Sequence, residues 1–265
     1  MSQKNISNHV VLYVKAGMDG ECYGACPFCQ RFYMVLDLKA KGGSLTYNIN
    51  TVNMARPLPE FKQYANRLPV FKHGDEVVID SDEIVQYIDE NFLKPDLRYD
   101  NLQAHSQCLD IFSKFNFFIK NVSSTAEGLL NEIKSINDYL ARTETKYLAG
   151  NSITNLDCLV MPKLQHIRIA AEAFKDFLIP RKFTHFWRYM ETAYNNDTFR
   201  KTCPSDQEIV FHWSSKRETT PLPEKKRRFY TIDTEPNSCY SYHGYKLLWI
   251  PDSSCYGYHT VKFPV

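Results

Sequence analysis

An α/β unit followed by an all-helical unit is the fold class that this 265-residue sequence predicts. Three observations point to it. β-rich and helical patterns alternate over residues 1–94, helical periodicity alone runs over residues 100–213, and residues 214–265 form a third stretch, a polar linker and then a tail rich in tyrosine. The length suits about two domains, each able to bury a core. Hydrophobic residues make up 43% and charged residues 23%, an ordinary soluble composition, and a net charge of +2 gives no reason to expect nucleic acid or an anionic membrane as a main partner.

The elements follow in order. "HVVLYVKAG" (His9 to Gly17) reads as a strand ending at glycine. Pro27 suits a helix's first turn, and Phe28, Phe32, Val35 and Leu36 recur at helical spacing until Gly42-Gly43 stops the run. "LTYNINTV" is a second strand and "PLPEFKQYA" a short helix. "RLPVFKHGDEVVID" gives two strands joined at His73-Gly74-Asp75. "SDEIVQYIDENFL" reads as a helix capped by Ser81, with Ile84, Val85, Ile88 and Phe92 on one face. This βαβαββα order is that of a thioredoxin-like domain. After the link "KPDLRYDN", the sequence predicts one long amphipathic helix over Leu102 to Asn121 and another over Thr125 to Leu140. A capping box at Thr154 and Asp157 opens a third, and "FTHFWRYMETAYN" and "PSDQEIVFHW" supply two more. "SSKRETTPLPEKKRR" reads as a linker, its basic run Lys225 to Arg228 either solvated or a nuclear or anionic-lipid signal, and "YKLLWI" and "YHTVKF" in the tail suit a hairpin or a segment packed on the body.

Met1 to Asn8 is polar and the apolar run Val10 to Val14 is too short for a secretory core, so a reducing cytoplasm is expected and the sequons at Asn5 and Asn121 carry no glycan. There the eight cysteines stay thiols, and a cluster is more readily catalytic or metal-binding than a structural disulfide. Cys26-Pro27-Phe28-Cys29 lies between a strand-plus-loop and a helix, the setting of a redox CxxC motif. A cysteine at a helix N-terminus meets unpaired amides and the positive end of the dipole, which favour thiolate. Cys26 is then the nucleophile and Cys29, one turn on, the resolving thiol, with Lys15 and Arg31 adding positive potential. Two other readings stand beside this one. Cys22, Cys26 and Cys29 have the spacing of a radical-enzyme iron–sulfur site, but the chain turns helical too early for the barrel such enzymes need, and zinc lacks an evident fourth ligand. No metal is therefore expected. Alternatively all three are core residues, as Cys108 and Cys158 are expected to be on their helices.

The other half of the site lies downstream. Leu68-Pro69 precedes a strand where this fold typically holds a cis proline that leaves the neighbouring backbone open to an extended peptide. At the start of the next helix, Ser81 and the amides suit a carboxylate and Asp80 an ammonium. Cys26, Leu68, Asp80 and Ser81 outline a slot for a tripeptide with a central thiol, and that ligand is glutathione.

The assembled motifs resemble the chloride intracellular channel family, which shares its fold with omega-class glutathione transferases. The residues that carry this are "YVKAGMDGE" (Tyr13 to Glu21), "CPFCQRFYMVL" (Cys26 to Leu36), "LPVF" (Leu68 to Phe71), "FSKFNFFIKN" (Phe112 to Asn121), "LDCLVMPKL" (Leu156 to Leu164), "FWRYMETAY" (Phe186 to Tyr194) and "TCPSDQEI" (Thr202 to Ile209). The resemblance implies a glutathione-transferase fold, a monomer when soluble, glutaredoxin-like activity with glutathione as co-substrate, and entry into membranes as an anion channel under oxidising or acidic conditions. It implies Cys26 as the glutathione-linking cysteine, Leu68 beside the cis Pro69 as backbone partner, and Asp80-Ser81 as the γ-glutamyl site. Many members carry serine where this chain has Cys29, so dithiol chemistry gains weight here. An acidic, proline-rich insert found in some members is missing around Ala141 to Leu148, and the extension beyond Ser214 lies outside the shared pattern.

The segment that the resemblance offers for insertion, Cys26 to about Thr51, carries Arg31, Asp37, Lys39 and Lys41 and is broken by Gly42-Gly43. A central Asp or Arg costs about 2.5–3.5 kcal/mol on insertion scales, which ranks the enzyme above the channel. Three readings follow: a glutathione-dependent oxidoreductase acting on disulfide substrates, a redox-switched chloride channel, and a module for membrane lipid and cytoskeletal proteins recruited by the tail.

Overall fold

The computed structural model describes residues 7–230. The hairpin expected in the tail, with Cys239 and Cys255, lies outside the described residues, as does the sequon at Asn5. The described chain opens with β1 (His9–Lys15), α1 (Pro27–Lys41), β2 (Thr46–Val52), α2 (Pro59–Tyr64), β3 (Val70–His73), β4 (Glu76–Val78) and α3 (Ser81–Asn91). The βαβαββα order read from the sequence is therefore present. The strands form one sheet in the order β2-β1-β3-β4, with β2 parallel to β1 and the other pairs antiparallel.

Strand β1 alternates as a half-buried strand must: Val10, Leu12 and Val14 are fully enclosed, while the residues between them face the other side. Helix α1 starts at Pro27, whose missing N–H costs nothing at a position where that donor has no intrahelical partner, and it buries Phe32, Met34, Val35 and Leu36. Gly42 caps it and Gly43 follows at φ +74°, the left-handed geometry that glycine adopts without strain. Helix α3 differs from expectation at its first turn. Its cap is Asp80, which accepts from the N–H groups of Asp82 and Glu83, and Ser81 is the first helical residue. The carboxylate reaches two amides, which makes it the better cap, worth about 1 kcal/mol.

Helices alone follow: α4 (Leu102–Ser106), α5 (Ile111–Ile119), α6 (Glu127–Thr143), α7 (Asn155–Lys175), α8 (Thr184–Tyr194), α9 (Asp197–Thr202), α10 (Asp206–Ser214) and α11 (Glu224–Tyr230). The single long helix expected over Leu102 to Asn121 is in fact two. Asn101 caps α4 through the N–H of Ala104, and a turn at 107–110 restarts the chain at a new angle. Cys108 sits buried in that turn rather than on a helix. The expected linker is in part helical too. In α11, Lys226 bonds the Glu172 carbonyl and pairs with Asp176 at 3.2 Å, so part of the basic run docks on the body.

Helix α7 is the spine. The predicted capping box at Thr154 and Asp157 is present, and buried Asp157 also accepts from Leu148 N–H and the Tyr189 hydroxyl. One core runs without a break from Val10 through α1 and α7 to Trp213. Two buried ion clusters fix α1 within it. Asp37, 2% exposed, accepts from Tyr47, Thr198 and Lys201 and pairs with Lys41. Lys39, 1% exposed, bonds Asp89 at 3.1 Å and the Phe92 carbonyl at 2.7 Å, and Asn155 holds the second Asp89 oxygen.

Candidate thiol site

Sheet topology gathers the predicted residues at one end. The chain leaves β1 at Lys15 and reaches Cys26 through a loop pinned by an Ala16–Tyr23 bridge. Gly24 is required in that loop, because a Cβ there would lie 2.4 Å from the Ala16 carbonyl oxygen. Since β3 runs antiparallel to β1, its first residue Val70 lies beside Tyr13, near the same exit. Strand β4 returns to that end and delivers Asp80 and Ser81. The Leu68–Pro69 bond is cis, as expected, and no hydrogen bond engages the Leu68 backbone among the described residues.

Cys26 occupies the N-cap of α1 and is 8% exposed; Cys29 is wholly enclosed beneath it. The Cys29 thiol and the backbone amides of Cys29 and Phe28 face the Cys26 sulfur, and no side-chain cap hydrogen bond closes there. These donors, with the Lys15 ammonium further off, outweigh burial and hold the Cys26 thiol below its ordinary value. Burial, then the neighbouring Cys26, pushes the Cys29 thiol well up. The two environments differ: the surroundings of Cys26 favour its thiolate and those of Cys29 its thiol. Cys108 and Cys158 are driven up by burial, to about 12 in the case of Cys108.

Lys15 ends β1, half-buried, and its ammonium donates to His212 Nδ1 at 3.1 Å. Burial lowers its pKa, while the charges at Cys26, Glu208 and Cys29 work the other way. Arg31 stacks over Phe32 at 5.0 Å and faces Asp82 at the start of α3. Asp80 is half-exposed, committed to its cap and 3.8 Å from Arg67.

Sequence reasoning missed what α10 brings. Glu208 accepts the Met18 N–H at 2.9 Å and faces the N–H of Ala25, one residue before Cys26. His212, one turn on, faces the Ala25 carbonyl. Phe28 meets Phe112 edge-on at 5.9 Å, and Phe112 meets Trp213 in the same way at 6.1 Å. Trp213 donates to His166 Nδ1 at 3.2 Å. The Tyr23 hydroxyl, the Gln30 amide and His166 Nε2 are buried without a hydrogen-bond partner among the described residues. The His-Trp pair inside "EIVFHW" was the available signal, but helical period does not say which distant surface a face will meet. Among the described residues no group of His, Cys, Asp and Glu could hold a metal.

Comparison with known proteins places this arrangement. The family model described as CLIC-like N-terminal domain matches residues 8–96. The chain is 32% identical over 209 residues to Chloride intracellular channel Clic of Drosophila melanogaster, spanning 77% of this chain and 80% of that protein. It superposes on the crystal structure of the CLIC homologue EXC-4 from C. elegans with a TM-score of 0.70 at 26% identity, over 86% of this chain and 95% of that one. Chlamydomonas reinhardtii dehydroascorbate reductase gives 0.68 at 21% identity, over 80% of this chain and 99% of that one. The trimeric glutathione transferase TDR1 of Leishmania gives 0.64 at 18% identity, over 80% of this chain and 48% of that one. The last two speak to the fold alone, and that fold is the glutathione-transferase fold.

Proposed function

This chain belongs to the chloride intracellular channel family, and from that premise we propose that it works as a glutathione-dependent thiol–disulfide oxidoreductase of the glutaredoxin type. The observation that carries this reading is the placement of two sulfurs, Cys26 at the N-cap of α1 and Cys29 enclosed one turn on. They lie at the end of the sheet that also carries the cis Leu68–Pro69 bond, and these surroundings lower the first thiol's pKa and raise the second's. The Cys26 thiolate attacks the glutathione sulfur of a substrate mixed disulfide; a Cys26–glutathione disulfide forms and the substrate sulfur leaves, taking up a proton. A second glutathione, as thiolate, attacks the glutathione sulfur, restoring the Cys26 thiolate and releasing glutathione disulfide. In the dithiol branch Cys29 loses its proton and attacks the Cys26 sulfur instead, expelling glutathione, which takes up the proton; two glutathione molecules then reduce the Cys26–Cys29 disulfide and leave as glutathione disulfide. The α1 N-terminus and Lys15 hold the negative charge on Cys26 before the first attack and again when the last step of each cycle restores it.

Glutathione is a co-substrate here. Its backbone would pair with Leu68 beside Pro69, with its central thiol at Cys26 near Lys15. Its γ-glutamyl ammonium would meet Asp80 and its α-carboxylate the hydroxyl of Ser81. Because Asp80 takes the N–H groups of Asp82 and Glu83, the Ser81 hydroxyl and its own N–H are the donors offered to that carboxylate. Glutathione and disulfide substrates are thus the first partners; lipid and cytoskeletal proteins, met through residues 215–265, come second. A cytoplasmic location with reversible membrane association suits both roles.

A second reading rests on the name of the fly relative, a chloride intracellular channel. In it, the cysteine pair switches membrane entry. No helix among the described residues is long and apolar enough to cross a membrane, and α1 would have to strip the buried Asp37 and Lys39 of their ion-pair partners. We rank it second.

The test is glutathione-dependent reduction of a small glutathione mixed disulfide by the parent protein, Cys26→Ser and Cys29→Ser. Turnover lost in Cys26→Ser and kept in Cys29→Ser is the expected result. Rates equal to the uncatalysed one in all three overturn the enzyme, and oxidant-dependent chloride efflux from liposomes then decides the second reading.

A further inference from the structure

The geometry around Lys15 points to a role for a residue that no motif singled out. We propose that His212 is a positioning residue for the reactive thiol: a neutral imidazole that holds the Lys15 ammonium beside Cys26 without cancelling its charge, and that fixes the backbone from which Cys26 projects. The proposal rests on Cys26 being the attacking sulfur in the reading above.

The tautomer follows from chemistry. An ammonium only donates, so His212 Nδ1, 3.1 Å from Lys15 Nζ, must accept, and the ring proton lies on Nε2, the nitrogen left to donate to the Ala25 carbonyl. The ring is 7% exposed, and burial, then His166, Lys15 and Lys216, push its pKa down to about 2, so it stays neutral at any working pH. Behind it, His166 meets the ring edge-on at 5.4 Å and is itself held by Trp213, so the imidazole has little room to turn.

The neutrality matters. Glu208 lies one helical turn away and also attracts Lys15, but its carboxylate is occupied by the Met18 N–H and faces the Ala25 N–H. An ammonium drawn fully onto that carboxylate would form a net-neutral pair, and its potential at the nearby sulfur would fall steeply. A lone-pair donor without charge anchors the cation and leaves its field intact. The charged and titratable groups facing Cys26 are then Lys15 from β1, Cys29 from α1 and Lys216 just beyond α10, with Tyr23 from the loop; Glu208 and His212 on α10 and His166 on α7 act through Lys15. Glu208 and His212 together face both backbone polar groups of Ala25, so the helix that steers the cation also sets the residue before the thiol.

The experiment reads the thiol directly. Full-length protein is alkylated with iodoacetamide over pH 5 to 10, and the Cys26 peptide is quantified by mass spectrometry. His212→Phe should move the alkylation midpoint up by about one pH unit, close to tenfold slower reaction on the acid side. His212→Gln, which can accept from Lys15 and donate to Ala25 without charge, should keep the parent midpoint. His212→Glu, which keeps an acceptor but adds a negative charge, should raise it. Lys15→Met should raise it too, and Lys15→Met/His212→Phe should go no further. An unshifted His212→Phe, or a Gln variant that shifts as far as Glu, overturns the proposal. Should His212→Phe melt early, the contrast between the Gln and Glu variants decides. Alkylation needs no glutathione. A parent protein with an acidic Cys26 and no turnover therefore overturns only the enzyme reading, whereas turnover with an unshifted His212→Phe overturns only this one.

Discussion

The first turn of α1 and its last two turns handle polar groups in opposite ways. At the start, Cys26 is an N-cap whose side chain closes no cap hydrogen bond, the Gln30 amide is buried without a partner among the described residues, and Phe28 stands 42% exposed. Ten residues on, Asp37 gathers four partners, from β2, α9 and α1 itself, and Lys39 two, from α3 and the Phe92 that ends it. A buried charge with a full set of partners holds elements in place, and removing one partner is costly because the other is stranded. A group short of partners holds nothing, but its chemistry remains available. The same helix therefore serves as anchor at one end and reagent at the other, and the anchor gives the reagent a fixed position.

The largest expected effect lies at the reagent end. Cys26→Ser should lower turnover at least ~10³-fold, over about 4 kcal/mol in barrier, with an unchanged melting curve; a matching loss of stability would make Cys26 a packing residue instead. At the anchor end, Lys39→Met strands Asp89 and should cost about 3 kcal/mol in urea unfolding. Asp37→Asn should cost less, about 2 kcal/mol at pH 7, because Lys41 and Lys201 are half-exposed and can return to water. Its pH dependence has a definite sign. Burial opposes ionisation of Asp37, but hydrogen bonds from Lys201, Lys41, Thr198 and Tyr47 win and hold the carboxyl far below its ordinary value. A lowered folded pKa gives stability that is present above the unfolded value, about 3.9, and is lost as pH falls below it. The stability gap between parent and Asp37→Asn should therefore shrink between about pH 4 and pH 2. A smaller effect is expected for Cys29→Ala, which removes the first donor to Cys26. It should move the acid limb of Cys26 alkylation upward by less than about one unit, toward the free-thiol value near 8.5. Phe28→Ala should change stability by no more than about 0.5 kcal/mol, since the ring is already partly in water.

The same contrast explains what the sequence disclosed. Strand β1, helix α1 and the capping box at Thr154 and Asp157 were legible because period, proline placement and cap chemistry are local. The Cys26–Cys29 pair was legible because its spacing spans one helical turn. Asp80 and Ser81 were both read as site residues, but which one caps α3 depends on side-chain reach, and the carboxylate won. The break at 107–110 has neither glycine nor proline to announce it. Asp37 and Lys39 were read only as obstacles to a membrane span; that each closes an ion cluster with residues up to 164 positions away is a fact of packing. The same holds for His212, 197 positions from Lys15. Helical period shows that a face is apolar, but which surface it meets is decided by the whole fold.

The unbroken core from Val10 to Trp213 has a consequence for measurement. With no seam between the sheet and the helices, loosening one exposes apolar surface of the other, and the described chain should melt in a single transition. Heat then reports on chemistry. A molecule that binds only the folded thiol pocket stabilises the entire body by linkage, about 2.7 kcal/mol at a hundredfold excess over its dissociation constant. The melting temperature of the whole chain thus becomes an assay for whatever the sulfur recognises, glutathione included, without any need to know the reaction first.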